Sequence, residues 1–124
     1  MRFGSQDNYL CVEKAGYVGT TVRWRVEAVV GCDGWHSAAV HDNVKVADFA
    51  KASRGMADFA AHKTQRFKVF LVEGGWLLVN RSRSGGVVIR YRVGHVKAGA
   101  AIEGVVFLNR KDAKRFCLHL GGLI

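Results

Sequence analysis

The chain has 124 residues, 49% of them apolar and 23% charged, with no proline and a net charge of +9. That length and apolar content fit one folding unit, expected to span 1–124, and exclude a chain too polar to build a core. No apolar run reaches the roughly 18 to 20 residues of a membrane-spanning helix, and Met1-Arg2-Phe3-Gly4-Ser5-Gln6-Asp7 has no signal-peptide core. An intracellular protein of the cytosol, nucleus or an organelle matrix, with no membrane partner, is expected.

Residues 1–62 carry seven basic and seven acidic side chains, whereas 63–124 carry twelve basic and three acidic ones, so the second half holds the whole excess. A one-signed field on half of a small domain attracts polyanions over roughly 8 Å at physiological salt. Three widely spaced cysteines, Cys11, Cys32 and Cys117, fit reduced thiols better than a disulfide framework.

In chain order, strands are expected near 9–13, 22–30, 35–40 and 44–46, followed by a helix from about Ala47. Gly55 should break or kink that helix, since glycine costs about 1 kcal/mol against alanine in a helix interior, leaving 56–62 as a second piece. In the second half, Phe67 to Val72 and Trp76 to Val79 are β-rich runs parted by Glu73-Gly74-Gly75, a hairpin turn. Asn80 to Gly86 is a longer polar hairpin loop, Val87 to Val93 a third strand and Ile102 to Leu108 a fourth. The period then becomes helical, with Ala113, Phe116, Cys117 and Leu120 on one face. Asn109 is the expected N-cap, Asp112 suits the first turn and Gly121-Gly122 the stop.

The halves share a pattern. Leu10 to Tyr17, Val22-Arg23-Trp24-Arg25-Val26 and Val44 to Lys51 recur in order as Phe70 to Trp76, Ile89-Arg90-Tyr91-Arg92-Val93 and Val105-Val106-Phe107-Leu108 leading into Asp112 to Phe116. The expectation is an α+β fold of two β-β-β-β-α repeats, about 9–62 and about 66–122, forming one pseudo-twofold domain with antiparallel sheets and packed helices.

Strand alternation turns Arg23 and Arg25 away from Val22, Trp24 and Val26, and Arg90 and Arg92 away from Ile89, Tyr91 and Val93. An ordinary solvated face explains the first pair equally well, because Glu27 accompanies it. Arg81, Arg83, Arg90, Arg92 and Lys97 lie in a window free of acids from Gly74 to Ile102, and arginine's planar fork matches phosphate oxygens. Arg110, Lys111, Lys114 and Arg115 fit a solvated helix surface better than a site. Tyr17, Trp35 and Trp76, at or near turns, are the candidates for base stacking. Cys32, His36 and His41 lack metal-site spacing, and no nucleotide-binding loop, serine-hydrolase elbow or carboxylate pair is present. No metal, cofactor or enzymatic activity is expected.

The order of strands, the last apolar strand Val105 to Leu108 and the amphipathic helix after it resemble the β-β-β-β-α repeat of the Whirly, PUR and positive-coactivator families of single-stranded nucleic-acid-binding proteins. The resemblance covers Phe67 to Gly122, and 9–55 more faintly. It implies sheets that offer basic and aromatic side chains to single-stranded DNA or RNA, and it allows homo-oligomers. The lysine-glycine-lysine motif of Whirly proteins is absent, so none of their specific binding residues carries over.

The expected function is therefore non-enzymatic binding of single-stranded DNA or RNA. Arg81, Arg83, Arg90, Arg92 and Lys97 would hold phosphates on one continuous surface, assisted by Arg23, Arg25, Trp76 and Tyr17. A structural RNA-binding component of a large ribonucleoprotein and a protein-interaction module are the alternatives.

Overall fold

The computed structural model describes residues 1–18, 21–32 and 35–123. Eight strands, β1 (Arg2–Gly4), β2 (Tyr9–Val18), β3 (Thr21–Cys32), β4 (Trp35–Ala47), β5 (Arg66–Leu71), β6 (Trp76–Arg81), β7 (Val87–His95) and β8 (Ala100–Leu108), pair antiparallel in sequence order. Helix α1 (Phe49–Ala60) separates β4 from β5, a single 3-10 turn (Val96–Ala98) precedes β8, and helix α2 (Arg110–Leu123) ends the chain.

This mostly β architecture corrects the expected α+β arrangement of two repeats. The strands do not form two separate units related by a pseudo-twofold axis. They form one curled sheet that is nearly closed, because β4 runs the length of β3 and then pairs its last residues with β5, Val46 with Leu71 and Ala47 with Phe70. The edge strands β1 and β8 approach each other, so that a Cβ on Gly4 would lie 3.1 Å from Val106. Period-two alternation reports which side of a strand is apolar, but not where the sheet edges meet.

One cluster of buried side chains runs from β1 to α2. Strand residues such as Leu10, Trp24, Val26, Val69, Val79, Ile89 and Tyr91 supply the inner face of the sheet, and Met56, Phe59, Phe116 and Leu120 bring the helices onto it. Phe59 meets Phe67 edge-on at 5.0 Å, which seats α1 on β5, and Phe116 meets Phe3 at 5.1 Å, which seats α2 on β1. His119 anchors the same helix through its Nε2 to the Val12 carbonyl.

Several local expectations change. The segments near 35–40 and 44–46 are one strand, since no proline or glycine interrupts 35–47. Helix α1 runs unbroken through Gly55, whose missing side chain admits Phe67: a Cβ there would sit 3.3 Å from the Phe67 Cβ. Gly121 and Gly122 lie inside α2 and do not stop it. At the other end of α2 the Asn109 Oδ1 accepts from the Asp112 backbone N–H at 2.8 Å, an N-cap. Among the described residues no helix is long and apolar enough to cross a membrane.

Candidate nucleic-acid interface

Alternation sorts the side chains of β5 to β8 into two sets. Phe67, Val69, Leu71, Leu77, Val79, Val87, Ile89, Tyr91, Val106 and Leu108 are buried inward. Their neighbours point outward, and the strand register aligns these into three rows. Arg66, Asn80, Val88 and Phe107 form the first, Lys68, Leu78, Arg90 and Val105 the second, and Phe70, Trp76, Arg92 and Glu103 the third. With strands about 4.8 Å apart and alternate residues about 6.8 Å apart, the grid measures roughly 14 Å each way.

This face holds four cations, one carboxylate and an unusual share of solvent-facing apolar surface. Phe107 is 75% exposed and Phe70 54%, at opposite corners of the grid. Val105 is also exposed, and Trp76 and Leu78 are half-buried. Aromatic rings left in water on a strand face lack the burial that normally stabilises them, worth about 1.5 to 3 kcal/mol for a phenylalanine. Arg66, Lys68 and Arg90 are exposed beside them. Arg92 lies over the Trp76 ring at 5.8 Å and donates through Nε to Glu103 Oε1 at 2.6 Å.

The residues expected to act together divide between surfaces. Arg90, Arg92 and Trp76 share the outer grid. Arg81 does not: it ends the inward series Leu77 and Val79, stacks on the Phe59 ring at 4.2 Å and donates to the Phe59 carbonyl at 2.6 Å. Arg83 is exposed on the 82–86 hairpin beside Arg81. Lys97 lies in the 3-10 turn, and its side chain, like those of Trp35, Cys32 and His41, is outside the described residues. The expected single cationic surface is thus replaced by two, because the β6–β7 register sets Arg81 opposite the inward Val87 and Arg90 opposite the outward Leu78.

The first-half candidates lie on other strands. Arg25 Nη2 donates to Glu27 Oε2 at 2.9 Å, and the Tyr9 hydroxyl donates to Glu27 Oε1 at 3.0 Å. The Arg2 guanidinium covers the Tyr9 ring at 4.3 Å. The hydrogen bond from Arg25 outweighs burial and, with Tyr9, holds the Glu27 carboxyl below the usual range, while burial and then Glu27 push the Tyr9 phenol up. Arg23 is half-buried and registers with Lys45 on β4. Tyr17 is 60% exposed near the end of β2, where its hydroxyl accepts from Lys14 Nζ at 3.0 Å.

Arg66, Lys68, Phe70 and Phe107 were not among the residues singled out from the sequence. The signal was present: if Phe67, Val69 and Leu71 face the core, then Arg66, Lys68 and Phe70 cannot. Phe107, between Val106 and Leu108, follows the same rule. An apolar type at an outward position resembles a core residue until the neighbouring strand fixes the register.

Comparison with protein-family models, with curated proteins and with solved structures finds no match for this chain.

Proposed function

We propose that the outer face of β5 to β8 binds single-stranded DNA or RNA without chemistry on it. The observation that carries this reading is the outward pair Phe70 and Phe107, exposed on a grid that also holds Trp76, Arg66, Lys68 and Arg90. Stacking of a base on an aromatic ring is worth about 1 to 3 kcal/mol and tolerates every base, while arginine and lysine neutralise the phosphates between stacked bases. The curled sheet holds these groups on rigid strands, so little side-chain order is lost on binding beyond the cations themselves. Base pairs hide the faces that the rings would stack on, which favours single strands over duplex. The free thiols of Cys11 and Cys117 fit a reducing intracellular compartment.

Fluorescence anisotropy of labelled oligo-dT and oligo-U, with a duplex of equal length alongside, tests the reading. Neutralising three to four phosphates on a single strand gives a slope of about −2 to −3 in log K against log salt. Affinity for single strands that exceeds affinity for duplex and falls with that slope supports the proposal. Equal or absent binding of both refutes it.

A further inference from the structure

A second cationic surface lies on the opposite side of the sheet from the outer grid. The end of α1, the hairpin between β6 and β7 and the first turns of α2 enclose a groove of about 700 Å³, within the usual range of small-molecule sites. Arg81, Arg83, Arg110, Lys114 and His62 line it, and among the described residues no Asp or Glu does. Four obligatory cations around one concavity repel each other, and solvent alone screens them incompletely in a partly enclosed site.

Two of these cations are held in place. Arg81 is fixed from beneath by the Phe59 ring and carbonyl, and its buried Nε has no hydrogen-bond partner among the described residues. Arg110 donates to the Ser84 carbonyl at 3.1 Å across the hairpin, and Gly85, at φ 87°, leaves the space that its guanidinium fills: a Cβ there would sit 2.7 Å from the Arg110 Nε. His62 closes α1 in the left-handed conformation, φ 61°, a strained choice for a residue with a side chain.

From the convergence of these groups we infer that the groove is a phosphate-binding site, taking a phosphomonoester attached to a body of nucleotide size. Arginine forks match the oxygens of a phosphate dianion, and the apolar lining of Ala60, Ala113 and Leu118 gives the remainder of the ligand a surface to cover. The phosphomonoester belongs either to a free mononucleotide or to the end of a nucleic-acid strand. The inference stands independently of the role of the outer grid.

The test is a titration of the full chain, followed by amide NMR, with inorganic phosphate, with a nucleoside monophosphate and with an oligonucleotide bearing or lacking a 5′-phosphate. Saturable shifts at 82–86 and 110–114 are expected with phosphate and with the monophosphate. They should weaken about tenfold or more per cation removed in Arg110→Gln and Lys114→Gln, and be unchanged in the outer-face variant Lys68→Gln/Arg90→Gln. A 5′-phosphate that strengthens oligonucleotide binding only while Arg110 and Lys114 are present identifies a strand end; a gain confined to the monophosphate identifies a free nucleotide. Absence of saturable binding by both phosphate and monophosphate, or binding indifferent to Arg110 and Lys114 in a folded variant, overturns the inference. Loss of this site with retained oligonucleotide binding would leave the outer-face proposal standing, and the reverse result would remove that proposal alone.

Discussion

Glu103 holds Arg92 in place on the outer grid, with its Oε1 2.6 Å from Nε and 2.5 Å from Nη2, so the carboxylate of that face neutralises one of its four cations. Both side chains are substantially solvent-exposed, so the pair contributes at most about 1 kcal/mol to stability. Its larger effect is on the field above the sheet.

Replacing Glu103 with glutamine should therefore release a fourth cation toward a bound strand. The expected outcome is a severalfold gain in affinity for oligo-dT and a salt slope steeper by about 0.7, with an unfolding midpoint close to that of the unmodified chain. Anisotropy titrations at several salt concentrations read both quantities. A variant that binds no more tightly would show that Arg92 takes no part.

Arg81 presents a contest of magnitudes. Its hydrogen bond to Phe59 and its seat on the ring favour the fold, while its buried Nε, without a hydrogen-bond partner among the described residues, opposes it by a similar amount, about 1 to 3 kcal/mol. Arg81→Met, which keeps the stem, should change unfolding free energy by less than about 1 kcal/mol. Urea denaturation checks this. A loss of several kcal/mol would assign Arg81 a purely structural role.

How much of this was legible beforehand varies by level. The strands from Phe67 to Leu108 and the capping of α2 by Asn109 followed from period and residue type. The closure of β1 against β8 did not, because β1 is only three residues long and its Phe3 carries no pattern of its own. Gly55 misled for a related reason: its helix penalty is local, while the packing against Phe67 that it permits is tertiary. In the candidate site, Arg90 and Arg92 were found by alternation and Arg81 was grouped with them by proximity in sequence. The register of β6 against β7 puts Arg81 in line with the inward Val87 and Arg90 and Arg92 in line with the outward Leu78 and Trp76, on opposite faces of the sheet.

Gly104 faces Tyr91 across β7 and β8, and a Cβ at this position would lie 2.5 Å from the Tyr91 oxygen and 2.7 Å from its ring. Tyr91 is buried among the core side chains. Gly104→Ala should destabilise the protein by about 1 to 3 kcal/mol through overpacking, seen as a lower urea midpoint with an unchanged slope. An unaltered midpoint would mean that the ring has room to move.

Glu27 gives the fold a pH dependence of known sign. Arg25 holds its carboxyl below the ordinary range in the folded chain, so its contribution is present above the unfolded value of about 4.3 and lost as pH falls through the folded one. The stability advantage of the unmodified chain over Glu27→Gln should thus be largest near neutrality and shrink under acid. Thermal unfolding of both proteins across that range checks it, and an advantage that grew under acid would contradict the assignment.

In the proposed role, the outward rings Phe70 on β5 and Phe107 on β8 hold bases. Phe70→Ala/Phe107→Ala removes two exposed side chains from a sheet whose core is untouched, so the fold should survive with little change. Anisotropy with oligo-dT is the direct measurement: a loss of about tenfold or more is predicted, from about 1 to 3 kcal/mol per stacked base. Undiminished affinity in the folded double variant would contradict the account.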